Sequence, residues 1–121
     1  MDFLVISGRV ASIPTLRFYE KDVPLTQFTL TIERLQPVDT GITVVCTDKM
    51  AMTAAKYLKS GDSVTIEGPI DYGEILCDDG RWVQKIYLRA WEIRKCQLVL
   101  DSIGGVRKYL PRLNLDVWQH E

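Results

Sequence analysis

The chain has 121 residues, 46% hydrophobic and 26% charged, with 15 Lys and Arg against 16 Asp and Glu for a formal net charge of −1. That length suits one domain of ordinary size, and the composition supplies a core without metal or disulfide support, which argues against a two-domain enzyme and against a disordered chain. A balance so near zero gives no global attraction to nucleic acid or to an anionic surface, so any basic site has to be local.

In chain order, Phe3 to Val10 (FLVISGRV) is β-branched and apolar, with Gly8 marking a bend or the close passage of another strand. The same N-terminus has an acid where a secretory leader wants a cation, and no later run nears the ~20 apolar residues of a membrane span. A soluble cytoplasmic protein with no membrane contact is the expectation. TLRFYEKDVPLTQFTLTIER reads as two strands around a turn at Lys21-Asp22, since Phe28, Leu30 and Ile32 alternate with Thr29, Thr31 and Glu33. Ile42 to Thr47 (ITVVCT) is another strand. The period then changes from two to 3.6. Ala51, Ala54, Ala55 and Leu58 share one face of a helix that Asp48 is placed to cap and that Gly61 follows in a left-handed position.

Alternation resumes at Val64, Ile66 and Gly68. GEILCDDGR reads as a hairpin loop with Asp79-Gly80 as its tight turn, and RWVQKIYLRAWEI is a long last strand. On one side of it, Trp82, Gln84, Ile86, Leu88 and Ala90 form the expected core side. Val83, Lys85, Tyr87, Arg89 and Trp91 on the other mix cations with rings. Between Arg81 and Lys95 five basic residues face a single acid, Glu92, which makes this the local basic element. Positions 97–121 hold Gly104-Gly105, Pro111 and short apolar clusters. They are expected to be an extension, part ordered and part flexible, to a domain spanning 1–96. Cys46, Cys77 and Cys96 are far apart and His120 is the only histidine, so free thiols and neither metal nor other cofactor are expected.

Five strand regions with one short helix between the third and fourth give the element order of an all-β, five-stranded Greek-key barrel, the oligonucleotide/oligosaccharide-binding (OB) fold. Within that order KYLKSGDSVTIEGPI, with Tyr57, Leu58, Gly61, Ile66, Glu67 and Gly68, resembles the helix-to-fourth-strand segment of the bacterial single-stranded DNA-binding protein family. The first strand to Gly8, followed by LRFYEKDVPLTQFTLTI, is similar to the family's opening. The resemblance runs from Asp2 to Ile93. It implies a homo-oligomer, dimer or tetramer, that binds single-stranded DNA without sequence preference. RNA stays open as a substrate, replication and repair proteins are the implied partners, and the nucleoid or an organelle is the implied location.

Such binding needs cations for phosphates and exposed rings for bases, each stacked base being worth ~1–3 kcal/mol. The family's stacking positions fall near Gln36, Gly41, Thr47 and Ile75, none of them aromatic. Lys49 matches a family lysine at the helix start, and Arg17, with Phe18 beside it, matches the Arg of an Arg-Tyr pair. Tyr87 and Trp91, interleaved with Lys85 and Arg89, offer a substitute platform. The candidate nucleic-acid-binding set is therefore Arg17, Phe18, Lys49, Lys85, Tyr87, Arg89 and Trp91. Alternatively Tyr87 and Trp91 pack under the C-terminal segment or a second subunit. Trp82 matches a family aromatic and is expected to be structural. The chain closes in DVWQHE, with Asp116 and Glu121 as the acids of its last segment, a departure from the acidic tip through which the family recruits partners.

Two functions stay open. One is a short single-stranded DNA-binding protein acting by sequestration. The other is an OB-fold accessory or assembly subunit with weak nucleic-acid affinity, which the missing stacking positions favour. An enzyme is not expected: His120 stands alone, no Gly-rich phosphate loop is present, and Asp78-Asp79 sits in a turn.

Overall fold

A computed structural model of the chain describes residues 2–19, 22–32, 41–77, 79–95, 98–101 and 106–108. Ten strand segments and one helix follow one another: β1 (Leu4–Val10), β2 (Thr15–Tyr19), β3 (Val23–Thr31), β4 (Gly41–Thr47), α1 (Asp48–Tyr57), β5 (Ser63–Gly68), β6 (Ile70–Leu76), β7 (Trp82–Arg89), β8 (Glu92–Lys95), β9 (Leu98–Asp101) and β10 (Val106–Lys108). All ten belong to one sheet. Lys21, Arg34, Gln36, Cys96 and positions 109–121 lie outside the described residues. Among the described residues no helix is long and apolar enough to cross a membrane.

β1 runs antiparallel to β5, from Leu4 opposite Gly68 to Arg9 opposite Ser63, and meets β3 only at Arg9 and Val10. β3 forms the expected hairpin with β2, and Asp22 takes a left-handed φ of 61° before β3 begins. On its other side β3 pairs with β4 from Leu25–Thr47 to Thr31–Gly41. β7 then lies parallel to β4 at Val44 and Val45, while β8, two residues further along the same run of chain, pairs with β5. Three backbone bonds make the switch. Arg89 N–H donates to the Pro69 carbonyl, Ala90 N–H to Val45 and Trp91 N–H to Glu67, each at 2.9 Å. One continuous segment is thus stitched to both sides of the sheet, which curls it around a shared core, as in an OB-fold.

Gly68 stands at that crossing. A Cβ there would collide with the Arg89 carbonyl, so the two backbones approach as they do only because the residue has no side chain. Gly8 plays the same part in β1, where a Cβ would run into the Thr31 carbonyl. This is the close passage its position in an apolar strand predicts.

Alternation decides the core: Phe28, Leu30, Val44, Cys46, Ile66, Leu88 and Ile93 are all buried on the inner face. Burial pushes the Cys46 thiol up to about 12. The helix closes the core with Met50, Ala51, Ala54 and Leu58, and Thr26 Oγ1 donates to the Ala51 carbonyl at 2.7 Å. Asp48 does not cap it. Thr47 holds the cap position with no side-chain bond, and Asp48 is the first helical residue with φ of 54°, a conformation Asp tolerates better than most. Gly61 is left-handed, at φ of 97°, as expected.

Two expectations change. GEILCDDGR is not all loop: Ile70 to Leu76 is a full strand, and the turn is confined to the tip around Gly80, where φ is 87°. The alternation along β7 is real, but its core side holds only at Leu88 and Ala90, since Trp82 is 49% and Ile86 56% exposed. The β6–β7 hairpin extends past the end of the core. Beyond β8 the sheet continues, with Leu100 opposite Ile93 and both Val99 and Leu100 buried.

A polar clamp holds the helix exit to β8. Lys95 Nζ binds Asp62 Oδ2 at 2.9 Å and donates to the Tyr57 carbonyl at 2.8 Å, while Asp62 Oδ2 also accepts from Lys59 N–H at 2.8 Å. Partial burial works against the Asp62 carboxylate, but the bonds from Lys95 and Lys59 and their charges outweigh it and hold its pKa below the ordinary value.

Gly68→Ala is expected to lower unfolding free energy by ~1–3 kcal/mol through overpacking at the crossing, and Leu100→Ala by ~2–5 kcal/mol, both read by urea denaturation. A Leu100→Ala variant as stable as wild type would mean that β9 is not integral to the fold. A carboxyl lowered by folding contributes stability above its unfolded pKa and loses it as pH falls through the folded value. Asp62→Asn should therefore be less stable at neutral pH and converge with wild type below about pH 4, checked by melting at stepped pH.

Candidate nucleic-acid interface

Strand register places the candidate residues. Thr15 lies opposite Gln27, Gln27 opposite Val45, and Val45 opposite Arg89, so one row crosses β2, β3, β4 and β7 on a single face. Arg17, opposite Leu25 and through it Thr47, lies in the next row of that face. By alternation Tyr87 and Lys85 continue it along β7. The structure therefore brings Arg17, Lys85, Tyr87 and Arg89 to one outer surface, with β2 and β7 separated by three strand spacings, or ~14 Å.

A cleft of about 110 Å³ opens on this surface between the β2–β3 hairpin and the far end of β6, lined by Ser12, Thr15, Arg17, Gln27, Thr29 and Leu76 among others. Its walls are hydrogen-bonded. Gln27 Nε2 donates to the Leu76 carbonyl at 2.7 Å, Thr29 N–H to Ser12 Oγ at 2.9 Å, and Thr15 Oγ1 to the Ile13 carbonyl at 3.0 Å. Gln27, Thr29 and Ser12 were not singled out from the sequence, although the alternation of Thr29 with Phe28 and Leu30 already turns them away from the core. Arg17 is exposed at the cleft, with no hydrogen bond or ion pair among the described residues.

The other candidates have different surroundings. Lys85 is exposed, opposite Gly73, and Tyr87 is half-buried with its ring over Gly73, where a Cβ would sit 3.5 Å from Cε2. Arg89 is engaged by Asp71, Nε to Oδ2 at 2.6 Å. The structure does not bring Trp91 to the face. Its indole Nε1 donates to Glu67 Oε2 at 2.8 Å, and its ring meets Phe3 at a centroid distance of 5.4 Å. Phe18 is 56% exposed on the side of β2 opposite to Arg17. Lys49 is exposed in the first turn of α1, two residues after Thr47.

The exposed rings that sequence reasoning missed lie on the other side of the β6–β7 hairpin. Tyr72, opposite Ile86, is 69% exposed, and Trp82, expected to be structural, lies opposite Leu76. The period-two spacing of Ile70 and Tyr72 was the available signal, masked by the turn-like Gly73-Glu74 that follows.

The model of the single-strand binding protein family matches residues 1–95 of the chain. A search of curated proteins returns no match.

Proposed function

Because this chain belongs to the single-strand binding protein family, we propose that it binds single-stranded DNA without sequence preference and acts by sequestration, without catalysis. The observation that carries the reading is the shared face: Arg17 lines a hydroxyl- and amide-containing cleft and Lys85 and Arg89 lie on the same outer face, an arrangement that suits a phosphate backbone and sugar edges. Lys49 extends the cationic border at the end of β4. Tyr87 is the ring on this surface. Trp91, turned away from the face, ties the entry to β8 to Glu67, and Phe18 is exposed on the other side of the β2–β3 hairpin. RNA is the alternative ligand of the same chemistry.

On this reading the first eight segments are five barrel strands in Greek-key order: β1, the β2–β3 hairpin, β4, the bent run β5 and β6, and the run β7 and β8. The domain spans 1–96, and 97–121 is its extension. Leu4 and Val5, 40% and 56% exposed, lie on a strand that meets β3 only at its end, so β1 offers the edge for a second copy. Replication or repair proteins at the nucleoid are the partners this role implies.

The second reading, an OB-fold assembly subunit with little affinity for nucleic acid, is favoured by one specific observation: Asp71 neutralises Arg89 within the face. Fluorescence anisotropy of a labelled oligo-dT strand of about 35 nucleotides separates the two. Expected is binding that weakens steeply with salt, with Arg17→Ala and Lys85→Ala each reducing the slope of log K against log[salt] by about one. No binding at low salt would transfer the assignment to the assembly subunit. Light scattering should give a mass above the 13.8 kDa of one chain, and a monomer mass would remove the oligomer.

A further inference from the structure

The sheet ends at β6, and among the described residues no strand pairs with the outer side of that strand. Two backbone bonds fix which groups this edge presents. Cys77 N–H donates to the Arg81 carbonyl at 2.8 Å and Arg89 N–H to the Pro69 carbonyl at 2.9 Å, in the same register that sets Gly73 opposite Lys85. In an antiparallel ladder such direct exchanges fall on every second residue. The odd-numbered positions of β6 therefore bond to β7, and Ile70, Tyr72, Glu74 and Leu76 turn their N–H and C=O groups outward. The Leu76 carbonyl agrees, since it accepts from Gln27 Nε2. Ile70, Tyr72 and Glu74 are all exposed. We propose that this edge pairs with the same edge of a second copy, antiparallel about a two-fold axis at Tyr72. The contact is separate from the one at β1, and it does not depend on the nucleic-acid reading.

Three observations select this occupant. The first is register. With Tyr72 opposite Tyr72 of the second copy, Ile70, Tyr72 and Glu74 exchange all their outward groups among themselves. Moving the axis to Asp71 sets two carboxylates directly opposite, and moving it to Gly73 calls on the Leu76 carbonyl that Gln27 already holds. The second is the side chains in the central row. Direct pairs share a face, so Ile86 and Tyr72, 56% and 69% exposed, join their counterparts in one apolar row across four strands. The third is charge. Glu74 falls opposite Ile70 of the second copy, which keeps the two Glu74 carboxylates ~13 Å apart. On the other face Gly73 falls opposite Asp71 of the second copy, and this brings Lys85 to ~10 Å, Cα to Cα, from that aspartate. Asp71 gives Oδ2 to Arg89, and its Oδ1 has no bond among the described residues. Between the two stands a glycine covered only by the Tyr87 ring, along which a lysine stem packs. Like charges are kept apart and opposite ones approach, a match that the edge makes with itself.

The test uses the full chain without nucleic acid. Tyr72→Pro removes the central outward N–H, which takes no part in the pairing of β6 with β7, so the hairpin itself is kept. At equal concentration it should lower the light-scattering mass to half the wild-type value, whichever contact remains at β1. Tyr72→Cys should form a covalent dimer under mild oxidation about tenfold faster than Glu74→Cys, whose thiols lie beyond disulfide reach in the proposed register. Melting curves identify any variant that fails to fold, and if Tyr72→Pro is one of them the cysteine pair decides alone. A wild-type mass of one chain overturns the pairing. So does a folded Tyr72→Pro variant with wild-type mass, which would leave the edge to a strand of another protein. Equal cross-linking of the two cysteine variants overturns it too, because chance collision would then account for both.

Discussion

Everything in this molecule depends on one run of backbone changing partners within three residues. At Ala90 the chain still donates to β4, and at Trp91 it already donates to β5. Without that exchange the sheet would be an open ribbon, and Leu88 and Ile93, on either side of it, would not face the same interior. The constraint is geometric before it is energetic. Two backbones have to cross at less than the normal strand-to-strand distance, which only a residue without Cβ permits, and Gly68 is that residue. The core then follows, because the alternating residues of β3, β4, β5, β7 and β8 point inward only once the curl is in place. The helix is a consequence as well. Its small Ala51 and Ala54 let it lie close over the barrel end, tied to β3 through Thr26.

The outer surface answers a different requirement. A chain with nearly equal acids and bases has most of its cations near an acid, and here the pairs are specific: Arg89 with Asp71, Arg94 with Glu92, Lys95 with Asp62. The exposed pairs contribute little to stability, on the order of 0–1 kcal/mol. Their effect is on the surface charge, which they neutralise locally, whereas Arg17, Lys49 and Lys85 make no ion pair among the described residues. Phosphate competes with a carboxylate for a guanidinium on nearly equal terms. On the proposed reading, the hold of Asp71 on Arg89 therefore reduces the pull of this face on phosphate without abolishing it.

The helix was legible in the sequence because the change from period two to 3.6 at Ala51 is a local signal, and Gly8 and Gly61 were legible because strands and helix ends tolerate glycine for few reasons, whereas Gly68 read only as a strand position. Arg17 was named from the family resemblance and Lys85 from alternation along the last strand, and strand register sets both on one outer face. What sequence could not show was non-local. Asp71 and Glu67 lie 18 and 24 residues from the side chains they bind, Arg89 and Trp91, so a stripe that reads as cation and ring is partly engaged once folded. Alternation along β7 gave the right two faces, but periodicity carries no information on where a core ends. Beyond Leu88 the inner face becomes an outer one, with Ile86 and Trp82 about half exposed. β6 was obscured because Gly73 looks like a turn residue, whereas its role is to lie beneath the Tyr87 ring.

The bond from Gln27 to the Leu76 carbonyl has a dynamic meaning. It is a side-chain tie between the projecting hairpin and the β2–β3 hairpin across the cleft. One such bond contributes about 1 kcal/mol net. The tip of the hairpin, where Gly80 and Arg81 are exposed, is thus held less firmly than the crossing at Gly68, and faster amide exchange is expected there than in the buried strands. A polymer whose two ends are both occupied cannot thread through a closed channel. A cleft open at the surface is one that such a strand could reach from the side, at an interior position, without unfolding of the sheet.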